Sequence, residues 1–167
     1  MHAHRVAVIP TESGPEVDAP GRHRGTIVLS SVSSDAHTWN LVYLQLLLEE
    51  AGFAVVNLGP CVPDDLLRRE CRRHGPVAVV LSTVNGHGAR DGARMVRALR
   101  EDPALRRLPA VIGGKLGVQG RLTPAERDRL LAAGFQGVYE GSDVTPFLTF
   151  LRRMPQNASS DRVAAAE

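Results

Sequence analysis

A chain of 167 residues, 43% of them apolar, has the size and composition of one globular domain that buries a core without disulfide staples. Its formal net charge of +2 argues against a surface built to hold nucleic acid, and no apolar run approaches the length of a membrane span. Cys61 and Cys71, the two cysteines, form no Cys-x-x-Cys pair and read as reduced core residues of a cytoplasmic protein.

Residues 1–24 mix His, Pro, Gly, Glu and Arg without period and read as a flexible extension with no continuous apolar signal region. A β-branched run predicts a strand over 26–32. The loop Ser34-Asp35-Ala36-His37-Thr38 follows, then a helix over 39–51 with an amphipathic pattern that Gly52 ends. The next strand is 54–58. A helix over 63–73 follows, with Asp64 and Asp65 in the first turn, where the helix dipole favours carboxylates. Strand 77–82, helix 88–101 and strand 109–113 come next. Thr123-Pro124-Ala125-Glu126 carries the cap, first-position proline and glutamate of a helix start, predicting a helix over 124–133. Strand 137–140, helix 144–154 and a polar tail over 155–167 complete the chain. The domain therefore spans 25–154. Five βα units with nearly continuous apolar strands predict a parallel sheet covered on both faces. Right-handed crossovers make that sheet doubly wound.

The chemistry concentrates at strand ends. A carboxylate two residues before a histidine, on a loop leaving a strand, can hold one ring nitrogen while the other faces a ligand or metal. Asp35 and His37 have that spacing. In doubly wound sheets the ligand crevice lies at the carboxyl ends of the strands, near the point where strand order reverses. The loops 33–38, 83–88 and 114–120 all leave that edge. Ser82 offers a hydroxyl and Val84 an apolar wall at that edge. Gly113 and Gly114 permit close backbone approach, as do Gly86 and Gly88 around His87. His87 reads as a rim residue, and His2, His4, His23 and His74 have no ligand-like spacing to His37.

These segments carry a family resemblance. Asp35-x-His37 resembles the Asp-x-His-x-x-Gly motif of cobalamin-binding domains. Leu81-Ser82-Thr83-Val84 looks like that family's Ser-x-Leu element, and Ile112-Gly113-Gly114 like its Gly-Gly element, in the family's order and spacing. Within the family the chain is most similar to the small cobalamin-binding subunits of glutamate mutase (methylaspartate mutase). The words at 51–59, Ala-Gly-Phe-Ala-Val-Val-Asn-Leu-Gly, and at 134–139, Gly-Phe-Gln-Gly-Val-Tyr, have close equivalents there. The resemblance covers roughly Gly25 to Met154. Asn40 departs from it, standing where the motif has glycine; asparagine tolerates the left-handed backbone region and adds volume.

The resemblance implies a flavodoxin-like, Rossmann-like cobalamin-binding fold with strand order 2-1-3-4-5. It implies that His37 replaces dimethylbenzimidazole as the lower axial ligand of cobalt, tuned by Asp35. The displaced nucleotide tail then runs beside the sheet, with Ser34, Ala36, Thr38, Asn40, Ser82, Val84, Gly86, Gly113 and Gly114 around it. Lys115, the single lysine, stands where it could reach the cofactor phosphate, although a solvated surface lysine is the simpler reading. The implied activity is that of an adenosylcobalamin-dependent carbon-skeleton mutase interconverting glutamate and 3-methylaspartate. This chain would be silent without a larger barrel-type subunit that holds substrate; neither nucleic acid nor membrane is implied. Two alternatives stand beside it. A corrinoid carrier for methyl transfer usually has a helical bundle before the domain, for which residues 1–24 are too few. A non-enzymatic cobalamin sensor usually has a DNA-binding domain, and nothing resembling one is present.

Overall fold

The apolar runs form β1 (Thr26–Ser30), β2 (Ala54–Asn57), β3 (Ala78–Thr83), β4 (Ala110–Gly114) and β5 (Gly137–Glu140). They alternate with α1 (Trp39–Glu50), α2 (Asp64–His74), α3 (Gly88–Glu101), α4 (Pro124–Ala133) and α5 (Thr145–Arg153). This computed structural model describes residues 23–154; the expected extension over 1–22 and the tail over 155–167 lie outside the described residues. All strand pairs are parallel and the order is β2-β1-β3-β4-β5, the flavodoxin-like order. The order reverses between β1 and β3, so the crevice expected of such sheets opens above their carboxyl ends.

Side-chain alternation along the strands builds two cores. Ile27, Leu29, Val80 and Val111 face α1 and α5, where Leu41, Leu48, Phe147 and Leu151 meet them. Val28, Val79, Leu81 and Ile112 face the other side, packed with Leu67, Val96, Leu99 and Leu130 of α2, α3 and α4. Every residue of β3 is buried, as the centre of a doubly covered sheet requires. Complete burial of each such leucine or isoleucine side chain contributes about 1.5–3 kcal/mol.

The ends of the elements follow local chemistry, with shifts of one or two residues from the sequence-based bounds. Pro63 is the N-cap of α2 rather than its first residue, and β3 begins at Ala78 and runs one residue further, to Thr83. α4 has the full reciprocal capping box between Thr123 and Glu126. Arg24, expected in the extension, is tied to the domain. Its backbone N–H donates to Gly52 O at 2.8 Å, its guanidinium donates to Ala51 O and Leu151 O, and it lies over the Phe53 ring.

Two expectations need correction. Cys71 is a core residue, but Cys61 is exposed, in a loop held at φ 53°. Its backbone N–H donates to Asp35 O at 2.9 Å, so tethering the Asp35 loop, rather than filling a core, fixes its position. The second correction concerns α1, which is not amphipathic. It buries Leu41 and Leu48 yet exposes Trp39, Val42, Tyr43 and Leu46, at the i, i+3, i+4, i+7 spacing of one helix stripe.

Candidate functional site

Asp35 is fully buried at the carboxyl end of β1, and its carboxylate is saturated with donors. Oδ1 accepts from the His37 backbone N–H at 3.0 Å and faces His37 Nδ1 at 2.6 Å. Oδ2 accepts from the Thr83 hydroxyl and from the Val84 backbone N–H, each at 2.7 Å. Burial pushes the Asp35 carboxyl up. The bonds from Thr83, the His37 backbone, Val84 and the His37 ring outweigh it and hold the group below its ordinary value. The carboxylate is therefore ionised at neutral pH and requires a proton on Nδ1. In the neutral imidazole that tautomer carries its lone pair on Nε2, and the His37 side chain is 62% exposed.

Three residues further on, α1 turns its inner side to a cavity of about 440 Å³, within the range of small-molecule sites. Its walls come from α1 (Asn40, Tyr43, Leu44), the ends of β3, β4 and β5 (Ser82, Gly113, Gly114, Tyr139), the following segments (Val84 and 141–144) and α5 (Phe147). Asn40 Nδ2 donates to Ser82 Oγ at 2.9 Å, while Asn40 Oδ1 is buried with no partner among the described residues. Asn40 lies within α1, and the positive-φ non-glycine among the described residues is Cys61. Asn40 thus does not use the left-handed conformation. It replaces the motif's glycine by sending a polar side chain across to β3.

The glycine pair has a backbone reason of its own. A Cβ on Gly113 would stand 3.0 Å from Tyr139 O, and one on Gly114, at φ +111°, would stand 2.2 Å from Thr83 O. Strand approach excludes a side chain at Gly114 and crowds one at Gly113, and the same bareness leaves the cavity wall open.

The expected residues divide into two groups. Asn40, Ser82, Val84, Gly113 and Gly114 line the cavity; Asp35 and His37 form the neighbouring rim. The others do not line the cavity. Ser34 is bonded to Asp91, Ala36 and Thr38 are exposed on the loop, and Lys115 is exposed, its backbone N–H donating to Thr83 O. Gly86 packs against the backbone of Gly117 and Val118, joining the 83–88 and 114–120 loops. His87 is the exposed N-cap of α3. Sequence reasoning missed Thr83, although its place in the Ser-Thr-Val element put a hydroxyl beside the rim. It also missed Tyr43, Tyr139 and Phe147, which only the packing of α1 and α5 over β4 and β5 brings to one cavity.

A buried carboxylate holding an outward histidine, beside a cavity with an unsatisfied amide, suits a ligand that offers a metal to the imidazole and an arm to the cavity. The profile of the B12 binding domain matches residues 25–145. The chain belongs to the B12-binding domain family. Among curated proteins it is similar to the glutamate mutase sigma subunit of Halobacterium salinarum, with 32% identity over 116 residues, covering 68% of this chain and 75% of the relative. Glutamate mutase sigma subunit 2 of Haloarcula marismortui is 28% identical over 144 residues, covering 83% of this chain and 96% of the relative. The fold is also that of a cobalamin-binding protein from Desulfitobacterium hafniense DCB-2, with a TM-score of 0.64 and 24% identity, covering 78% of this chain and 59% of that one. No helix among the described residues is long and apolar enough to cross a membrane.

Proposed function

We propose that this B12-binding domain is the cofactor-holding small subunit of an adenosylcobalamin-dependent carbon-skeleton mutase acting on glutamate or a related acid. The observation that carries the reading is the Asp35–His37 pair, with the His37 side chain 62% exposed and Asp35 bonded to the backbone of Val84, a residue of the cavity wall. His37 Nε2 would hold the cobalt, with Asp35 fixing the tautomer and raising the basicity of the ring. Ser82, Gly113, Gly114 and Val84 of the cavity would hold the nucleotide tail. The residues present fit such an arm: the cavity is large enough, its floor is apolar, and Asn40 Oδ1 lacks a donor. When bound, the cofactor supplies a cobalt–carbon bond that breaks homolytically, and the protein contributes position and exclusion of water.

This rim has one wall. Trp39, 82% exposed and two residues from His37, begins the apolar stripe that continues along α1 through Val42 and Leu46. Exposed apolar stripes of this kind mark contact surfaces. The reading therefore includes a larger, barrel-type partner subunit that holds substrate and caps the cofactor, and this chain alone does not isomerise glutamate. Relatedness to glutamate mutase sigma subunits supports the mutase assignment over methyl transfer.

The test is ligation. Cobalamin bound to the full chain, with its partner, is reduced to the paramagnetic cobalt form and compared with a sample carrying ¹⁵N histidine. The expected spectrum shows splitting from one protein nitrogen that changes with the label and disappears in His37→Ala. Splitting that ignores both the label and the variant refutes the assignment of His37.

A further inference from the structure

Asn40 is an expensive residue to keep where it stands. Its amide nitrogen donates to Ser82 Oγ, and its Oδ1 is buried without a donor among the described residues. An unsatisfied buried acceptor costs about 1–3 kcal/mol, and native proteins retain few. Ser82 is equally incomplete. It is 2% exposed, accepts from Asn40, and donates its own hydroxyl hydrogen to no described residue. Both residues line the same cavity, whose floor is otherwise the apolar surface of Val80, Val111, Ile112 and Phe147. Asp143, another polar residue of the lining, already has Oδ1 engaged by the Thr145 backbone N–H. One donor and one acceptor thus stand side by side, short of partners, in a largely apolar wall.

We infer that Asn40 reads the nucleotide tail of the corrinoid. Its Oδ1 takes an N–H or O–H donor from the tail. Its amide nitrogen holds Ser82 Oγ so that the Ser82 hydroxyl donates to an acceptor on the same tail. The inference rests on the reading above, that this cavity receives the tail. The donor has two chemical sources. One is a ribose hydroxyl, common to cobamides with a nucleotide arm. The other is an amino group on the base, which adenine carries and dimethylbenzimidazole lacks. An amide and a purine edge match through paired donor and acceptor, the geometry by which asparagine recognises adenine. A site whose polar groups are left unpaired by the wrong ligand discriminates against it.

The inference separates the empty from the loaded protein. In the empty chain Asn40→Ala removes an unsatisfied acceptor and places a better helix former in the first turn of α1, while the buried Ser82 hydroxyl loses its amide partner; these effects oppose one another at similar size, so Tm stays near that of wild type. In the loaded chain the same change removes a bond, so affinity falls. A residue retained for packing alone would lower both.

The experiment measures equilibrium binding of two probes, cobalamin and the adenine-bearing cobamide, to the full chain and to its Asn40→Ala and Ser82→Ala variants. Tm is measured without ligand. Wild type binds at least one probe, and Asn40→Ala weakens that binding about 10-fold while Tm stays near that of wild type. Equal weakening for both probes assigns the donor to the ribose; weakening confined to the adenine form assigns it to the base. Affinities unchanged by Asn40→Ala overturn the inference and leave the cobalamin reading standing. A fall in Tm larger than the loss of the one Asn40–Ser82 hydrogen bond accounts for, together with a fall in affinity, overturns it in favour of a packing role. A wild-type chain that binds neither probe, with or without its partner, removes the cobalamin reading and this inference with it.

Discussion

Replacing Asp35 by asparagine tests the rim at its centre, because the side-chain shape is kept while one of the two accepting oxygens becomes an NH₂ group. Two orientations are available. With the NH₂ at the Oδ2 position, the Thr83 hydroxyl can rotate and accept, but the Val84 backbone N–H, now 2.7 Å from its carboxylate partner, faces a donor. With the NH₂ at the Oδ1 position, the His37 backbone N–H loses its acceptor, and Nδ1 must shed its proton to accept. Each orientation orphans one backbone N–H, an expected loss of about 1–3 kcal/mol. The two are not equal, because His37 is exposed and its amide can turn toward water, whereas Val84 leaves the buried end of β3. The second orientation therefore wins. It moves the imidazole proton to Nε2, the atom needed as a ligand, so corrinoid affinity falls by about 10- to 100-fold. Urea unfolding reads the stability, and long-range ¹H–¹⁵N correlation spectra of the imidazole read the tautomer. Unchanged stability, with Nε2 still unprotonated in Asp35→Asn, would refute the reasoning.

Three further outcomes follow from the same geometry. Gly114→Ala places a Cβ 2.2 Å from Thr83 O at φ +111° and is expected to cost more than about 2 kcal/mol in thermal unfolding; a loss below half of that would show that β4 moves freely. Burial and the Glu70 charge push the Cys71 thiol up to about 12, so at pH 8 an alkylating reagent should modify exposed Cys61 first and Cys71 only on unfolding. Equal native-state rates would contradict that packing. Trp39→Asp should weaken association with the partner subunit by about 10-fold or more while leaving Tm unchanged, and association measured by sedimentation that ignores the change would separate the α1 stripe from the interface.

The architecture was legible because its signals are local and repeated. Five β-branched runs, each followed by a helix with a recognisable start or stop, permit few arrangements besides a doubly wound parallel sheet. The strand order drew on the family words, and the structure has that order. The rim was legible for the same reason: Asp35 and His37 are two residues apart, and their bond is a property of one loop. The cavity was not. Tyr139 and Phe147 are ordinary strand and helix residues in sequence and become walls only when α5 packs over β5. α1 misled for a physical reason. Its pattern contains enough leucines to read as amphipathic, but apolar residues on the outer side as well do not declare in sequence which side is covered by this chain. Asn40 was legible as added volume and hydrogen-bonding groups; what sequence could not show is that its amide reaches across to Ser82 while its backbone stays helical.

Asp35 connects more of the molecule than a carboxylate tuning one histidine requires. Its side chain binds the His37 loop and the end of β3, and its carbonyl accepts from Cys61 in the loop after β2. Thr83, one of its donors, accepts through its own carbonyl from the Lys115 backbone N–H after β4, and Lys115 O in turn accepts from Gly86. The loops after β1, β2, β3 and β4 are thus joined through one buried carboxylate and the strand end it holds. Were His37 to take a ligand, the load would fall on a network anchored in four strands, the stiffness a positioned imidazole needs. The same arrangement extends to the cavity end of the site. Ser82 sits on the same anchored strand end, paired with Gly113 of β4, so freedom at the cavity end is confined to the Asn40 side chain, which the Ser82 hydroxyl alone holds among the described residues.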